Sequence, residues 1–145
     1  VARVVAREPE GERGKQRQGS AAEALAHGGA VSIAPCDARG HALWLQRMDG
    51  APLMSAAVAP EKARTCVLSG KPSKAFEDMV NNGRFAALAM PVVPLEGGEP
   101  IVIGDNVIGA VGVSGVKAGE DAQVARAAVA ALLAHVAKTK PENAA

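Results

Sequence analysis

Four charged residues fall close together in the sequence and could bind and process a small anionic molecule. Arg47 and Asp49 stand at the end of a predicted strand, and Lys62 and Arg64 stand in the helix predicted to follow it. Arginine can hold a carboxylate through two parallel hydrogen bonds, whereas lysine and aspartate can transfer protons. Arg47, Asp49 and Lys62 are therefore candidate catalytic residues and Arg64 is a candidate ligand-binding residue, with a solvated surface rim as the alternative.

Two backbone segments could approach the same ligand closely. Gly97 and Gly98 lie in a loop where missing side chains leave room, and Ser114 and Gly115 precede the last predicted helix, whose positive end favours anions. The alternative is that these glycines only let the backbone pass close to a packed helix. All four are candidate ligand-binding residues. We expect Gly97, Gly98 and Ser114 to surround one pocket near a subunit boundary, together with Arg47, Asp49 and Lys62; the alternative is turn glycines and rim charges spread over the surface.

The glycine pattern from Gly109 to Gly115 superficially resembles a dinucleotide-binding loop. That motif needs a strand, a glycine-rich turn, a helix and then a second strand that carries an acidic residue about 20 positions later. A single predicted helix follows the glycines here, so we expect no Rossmann fold.

The histidines and cysteines do not have the spacing of a metal-binding motif. His27, His41 and His135 are too scattered for zinc, although any one of them could ligate an iron alone. Cys36 and Cys66 lie in apolar contexts, which predicts two buried, reduced and unpaired thiols of a cytoplasmic protein. The sequence offers no reason to expect the two thiols to be neighbours, and the metal stays unassigned.

Composition excludes several classes of protein. The 145 residues carry 16 Lys and Arg against 15 Asp and Glu, a balance that argues against a nucleic-acid partner. No apolar run reaches the roughly 18 residues of a membrane span, and the sequence shows no signal peptide, although a leader removed before Val1 is compatible with it.

With 31 alanines, 17 valines and only three aromatic residues, the core buries little area per residue, so we expect a homo-oligomer.

Hydrophobic periodicity and turn residues predict one domain over residues 20–140, after a loose arm at 1–19 and before a tail at 141–145. The predicted fold is α/β (α+β), a central antiparallel sheet flanked by helices. The first predicted elements are a helix at about 16–28 and a hairpin of strands at 31–37 and 41–48. A helix follows that ends near Ser69 and could be divided at Pro60, and then a short helix capped at Ser73 and ending at 81–83. The remaining elements are strand character at 92–103 interrupted at 96–100, a strand at 107–113 and a helix at about 120–138. We expect the 41–48 strand to be covered on both faces.

The last predicted helix has an apolar packing stripe and a second surface of small residues. The stripe comprises Ala125, Ala128, Val129, Leu132, Leu133 and Val136. The second surface comprises Ala127, Ala130, Ala131 and Ala134, which we expect to contact another element or another subunit.

The order of motifs along the chain resembles the GlcG/HbpS family, which includes the C-terminal domain of PduO-type proteins. The resemblance spans about residues 20–137, and Pro35-Cys36 and Pro60 depart from the usual family pattern. The motifs are Asp37–His41, Arg47–Pro52, Lys62–Thr65, Pro94–Pro100, Gly109–Gly115, and Asp121 followed by Val124-Ala125.

The resemblance implies an oligomeric protein that binds haem or another tetrapyrrole, with links to haem degradation or redox sensing. Arg47, Lys62 and Arg64 would then meet the haem propionates, while His27, His41 or Cys36 would ligate the iron. Since some members lie beside catabolic genes, the alternative is an isomerase, lyase or hydrolase that acts on a carboxylate through the Arg/Asp/Lys cluster. A structural or regulatory oligomer with a vestigial pocket is the third hypothesis.

Overall fold

A four-stranded antiparallel sheet forms the centre of the fold in the computed structural model, which describes residues 29–139. The strand order is β2-β1-β4-β3, so β1 and β4 are central and β2 and β3 are the edges. The strands are β1 Ser32–Asp37, β2 Gln46–Arg47, β3 Gly98–Ile103 and β4 Asn106–Ser114. The predicted arm at 1–19, the helix at 16–28 and the tail at 141–145 lie outside the described residues.

Helices cover both faces of the sheet, which confirms the predicted fold class. The helices are α1 Ser55–Ser69, α2 Lys74–Asn81 and α3 Ala118–Thr139, with a short 3₁₀ turn at Phe85–Ala89. Because side chains alternate along a strand, Ala110 and Gly112 of β4 face α1, whereas Val111 and Val113 face α3. Within residues 29–139, none of these helices combines the length and apolar character needed to cross a bilayer.

The two faces of the sheet pack differently. Large aliphatic residues such as Ile33, Ile101 and Val124 fill the core under α3, and the predicted packing stripe of that helix is confirmed. Small residues line the α1 face, where a Cβ at Gly112 would collide with the carbonyl oxygen of Ala59. The absent side chain lets the backbone of α1 lie directly on β4, and this close approach holds Lys62 of α1 near the end of the sheet.

The strand predicted at 41–48 is wrong in extent. Only Gln46–Arg47 forms a ladder with β1, and a single bridge joins Cys36 to Ala42. The Pro35 carbonyl accepts a 2.9 Å hydrogen bond from the Leu43 N–H. Because proline has no backbone N–H, β1 offers this segment an acceptor at Pro35 but no donor. The ladder is interrupted there, and this edge of the sheet leaves Leu45 47% exposed, not covered on both faces.

Four other local predictions need correction. Pro60 does not divide α1, which runs unbroken for 15 residues. Residues 92–95 form no strand but dock on α1, where the Val93 N–H donates to Thr65 Oγ1 at 3.0 Å. Pro100 lies within β3, where an edge strand tolerates the missing donor.

Ser73 stands at the predicted helix start, but its hydroxyl donates to the Leu95 carbonyl at 2.6 Å and does not cap the helix.

Candidate functional site

Lys62 is buried inside the fold and fully engaged by protein groups. Its Nζ donates to Asp121 Oδ2 and to the Val113 carbonyl, both at 2.9 Å, and its side chain is only 4% exposed. Lys62 comes from α1 and Asp121 from the first turn of α3, so the ion pair joins helices on opposite faces of the sheet. The contact lies where β4 ends and β3 begins.

Asp121 is the residue of this cluster that sequence reasoning did not select. An acidic residue in the first turn of a helix ordinarily complements the helix dipole, so its type and position alone did not mark it. Its Oδ1 accepts the Val116 N–H at 3.1 Å, and the Gly115 N–H also bonds to the carboxylate. Burial raises the pKa of Asp121, while the hydrogen bonds and charge of Lys62 and the two amides oppose that rise. The amides expected to hold an anion near Gly115 thus hold a carboxylate of the chain itself.

Two glycines pack against Lys62, Gly97 beside its ammonium and Gly98 beside its backbone carbonyl. Gly97 has φ +127°, and a Cβ placed on it would lie 2.7 Å from Lys62 Nζ and 2.6 Å from the Val113 oxygen. A Cβ on Gly98 would lie 2.5 Å from the Lys62 carbonyl oxygen. The structure therefore brings Lys62, Gly97, Gly98 and the Ser114-Gly115 segment together at one end of the sheet, with no room for side chains at the two glycines.

Arg47 and Asp49 lie at the surface beside this cluster. Arg47 pairs with Ser32 across the sheet, and Ser32 pairs with Ser114 on its other side. Arg47 and Ser114 are therefore in one row, two strand spacings or about 10 Å apart. Asp49 is exposed in the turn that follows β2. The Ser32 hydroxyl in that row is buried and bonds to Ser55 Oγ at 2.8 Å. The Lys62–Asp121 pair is buried, whereas Arg47 and Asp49 are exposed.

Arg64 lies on the outer side of α1, among apolar groups that are partly exposed. Its Nη1 lies 3.4 Å from the Pro91 carbonyl, and its Cγ lies 3.1 Å from where a Cβ on Gly40 would be. Leu68, one helical turn away, is 51% exposed, and Met90, adjacent to Pro91, is 36% exposed. The Glu61 carboxylate lies 3.8 Å from Arg64 Nη1, and both side chains are partly exposed. We call Arg64, Leu68 and Met90 the Arg64 surface: a half-buried cation, paired with Glu61, with exposed apolar side chains nearby.

His41 stands at the turn that packs on Arg64. Its side chain is 76% exposed, and its Nδ1 lies 3.6 Å from Asp37 Oδ2. The other carboxylate oxygen, Asp37 Oδ1, accepts the backbone N–H groups of Arg39 at 2.8 Å and His41 at 3.0 Å. Partial burial by itself would raise the pKa of Asp37, but the two amides and the neighbouring imidazole lower it. The carboxylate therefore stays ionised beside the imidazole.

The two cysteines are free thiols, as predicted, but they share one apolar cluster with Ala63 and Ala110. Burial raises the pKa of both Cys36 and Cys66 to about 12. Because iron binds the thiolate, Cys36 fits the role of iron ligand poorly. His27 lies outside the described residues. Within residues 29–139, no three or more His, Cys, Asp or Glu side chains group together to hold a metal ion.

An apolar pocket of about 270 Å³ lies elsewhere, between the end of β3 and the C-terminal half of α3. Ile103 at its rim is five residues along β3 from Gly98, or about 17 Å in an extended strand. The pocket is thus distinct from the cluster around Lys62. Its lining residues are Ile103, Leu133, Val136 and Ala137.

The chain is similar to proteins of one family both in sequence and in structure. A family model described as haem degrading protein, HbpS-like, matches residues 16–130. Protein GlcG of Escherichia coli strain K12 is 49% identical over 93 residues, which are 63% of this chain and 69% of that protein. The crystal structure of HbpS has a TM-score of 0.74 at 28% identity and covers 82% of this chain and 85% of its own. The crystal structure of a PduOC haem complex has a TM-score of 0.74 at 26% identity and covers 86% and 94% of the two chains.

Proposed function

Because this chain belongs to the HbpS-like family of haem-degrading proteins, we propose that it binds haem or a related tetrapyrrole. A solved relative that matches over 94% of its own length is a haem complex, which supports this assignment. We place the function in haem degradation or in redox sensing through bound haem. When bound, haem supplies an iron centre capable of one-electron and oxygen chemistry.

The single observation of this structure that carries the proposal is the Arg64 surface. Haem has an apolar macrocycle and two carboxylates, so its protein site needs apolar contact area and a cation. Arg64 offers a partly exposed guanidinium whose 3.8 Å contact with the exposed Glu61 carboxylate a propionate would replace, and Leu68 and Met90 offer exposed apolar area nearby. Lys62 is less suited to a propionate, because it would first have to leave Asp121 and the interior.

A titration with haemin tests the proposal. We expect a Soret shift that saturates at one haem per chain, and an affinity about tenfold weaker in Arg64→Gln, the change expected for loss of one charged hydrogen bond. Lys117→Gln is the matched control, because it removes an exposed cation at the start of the opposite helix. A wild-type protein that gives no Soret shift at stoichiometric haemin contradicts the proposed function.

A second candidate is a catabolic isomerase, lyase or hydrolase that acts on a carboxylate. The observation in its favour is the Lys62–Asp121 pair, a proton donor and acceptor at 2.9 Å beside two glycines. In that case a substrate carboxylate would replace Asp121 as the partner of Lys62, with Arg47 and Asp49 at the entrance. Turnover of a small carboxylate by the wild-type protein, lost in a folded Lys62→Gln variant and accompanied by no haemin binding, would favour this candidate.

A further inference from the structure

The strand β3 forms the longer edge of the sheet. It has six residues, whereas the strand at the opposite edge, β2, has two. The backbone groups on the outer side of an edge strand can pair with a strand of another molecule. Ile101, Val102 and Ile103 carry the β-branched side chains that favour such pairing. A second copy of this chain could therefore extend the sheet at β3 unless the edge is blocked.

Hydrogen bonding to β4 shows which backbone groups of β3 face outward. The Gly97 carbonyl accepts the Val113 N–H at 2.9 Å, so the polar groups of Gly97 point toward β4. Because this direction alternates along an antiparallel strand, the groups of Gly98, Pro100 and Val102 point to the outer edge. The register shift beside Val102 places its extra residue in β4, so the alternation along β3 is preserved. An added strand would have to bond to these three residues.

Ser73 already occupies the first of the three positions. The Gly98 N–H donates to Ser73 Oγ at 2.8 Å, and the Gly98 carbonyl accepts the Ser73 N–H at 3.1 Å. Ser73 is fully buried, and its hydroxyl also donates to the Leu95 carbonyl at 2.6 Å. Glu77, in the first turn of α2, accepts the Glu96 N–H at 2.8 Å. Ser73 and the start of α2 thus take the place of a neighbouring strand where β3 begins.

Pro100 removes the donor from the second position. Proline has no backbone N–H, so the edge offers only a carbonyl there. Of the three outward positions, Val102 alone presents both an N–H and a carbonyl, and its side chain is 40% exposed. One complete position cannot support a ladder, because strand pairing gains its stability from several successive bonded residues.

We infer that Ser73 and Pro100 block strand addition at the β3 edge, so that copies of this chain associate through other surfaces. The inference concerns the sheet edge and is independent of the proposed function. It predicts that restoring the missing donor at position 100 opens the edge to a second copy.

Pro100→Val tests the inference, because valine restores the N–H and suits a strand. We expect a rise of about twofold or more in mass by light scattering, with a new intermolecular β-sheet band in the infrared spectrum. The amide at position 100 should exchange slowly with deuterium in the assembled form. Pro52→Val is the matched control, because Pro52 is exposed and lies outside the sheet, and it should keep the wild-type mass.

Two further variants test the role of Ser73 and the route of association. Pro100→Val/Ser73→Ala frees the groups of Gly98 as well and should associate more strongly than Pro100→Val. A lysine on an edge strand disfavours pairing, so Pro100→Val/Val102→Lys should return to the wild-type mass. Circular dichroism and urea denaturation establish that each variant is folded.

Three outcomes would overturn the inference. The first is a wild-type mass and no new infrared band in both Pro100→Val and Pro100→Val/Ser73→Ala. The second is additional mass in Pro100→Val that Val102→Lys does not reverse, because that association would not use the edge. The third is a fall in mass when Val102→Lys alone is introduced, which would show that the β3 edge is already an interface.

Discussion

Lys62 Nζ lies 2.9 Å from Asp121 Oδ2, and this ion pair joins α1 and α3 from opposite faces of the sheet. Both side chains are 4% exposed, and backbone groups complete the contact: the Val113 carbonyl accepts from Lys62, and the Val116 N–H donates to Asp121. A buried pair adds little net stability because desolvation offsets the attraction. Its main consequence is positional, since it sets where the start of α3 lies relative to α1.

Lys62→Met should destabilise the protein strongly. Methionine retains much of the length of the lysine but leaves the Asp121 charge buried without its cation. Removing one partner of a buried ion pair typically costs about 3–5 kcal/mol. Urea denaturation followed by circular dichroism measures the loss in the free energy of unfolding.

The double variant Lys62→Met/Asp121→Leu is the control for that prediction. It removes both charges, so we expect it to recover most of the lost stability. A double variant that is less stable than Lys62→Met would show that Asp121 contributes mainly through its contacts with the amides of Gly115 and Val116.

Gly97→Ala should destabilise the protein for a different reason. The φ of +127° is unfavourable for alanine, and the new Cβ would crowd Lys62 Nζ and the Val113 oxygen. We expect a loss of about 1–3 kcal/mol in thermal or urea unfolding. In Gly119→Ala, by contrast, the Cβ enters open space at the start of α3, which should leave stability unchanged or raise it by up to about 1 kcal/mol. Equal effects at the two glycines would contradict the crowding at Gly97.

Cys36 and Cys66 should resist alkylation in the folded protein. With a pKa of about 12, roughly one thiol in ten thousand is ionised at pH 8, and both are buried. An aromatic disulfide reagent should therefore react slowly with the native protein and rapidly in urea, and rapid reaction of the native protein would contradict the burial.

The same pKa shift makes stability depend on alkaline pH. Unfolding restores the thiol pKa from about 12 toward the ordinary value of 9.0. Below pH 9 both states keep the proton, whereas above it the unfolded chain releases protons that the folded chain retains. The free energy of unfolding should therefore fall as the pH rises past 9, and Cys36→Ala/Cys66→Ala should show a weaker fall.

The protein should form a homo-oligomer through the small residues of α3. Ala130, Ala131 and Ala134 are exposed in the single chain, although together they make an apolar surface. Light scattering should give a mass above 14.7 kDa, and Ala134→Glu should reduce it toward that of one chain. Ala57→Glu places the same charge at an exposed position of α1 and should leave the mass unchanged. A monomeric wild-type protein at micromolar concentration would contradict the prediction.

Several elements could be predicted because their signals are local. The apolar residues of α3 recur with the helical period, and β1 precedes a turn at Gly40, a residue type that readily adopts the φ of +84° found there. The strand at 41–48 failed because its pairing depends on a neighbour. Pro35, in another strand, removes the donor that this segment would need, and no pattern within residues 41–48 shows that loss.

The same distinction applies to the cluster around Lys62. Residue type and order were enough to expect Lys62, Gly97, Gly98 and Ser114 near one another, and the structure brings them to one end of the sheet. Their role in binding a ligand stays a prediction. Asp121 was not selected, since an acidic residue in a first helical turn has the same local pattern whether it faces solvent or a buried lysine. Its partner is 59 positions away along the chain, and the two meet only when α1 and α3 pack on opposite faces of one sheet. Long-range packing, which local periodicity does not encode, therefore decides that Lys62 faces the interior while Arg64, two residues later on the same helix, stays partly exposed.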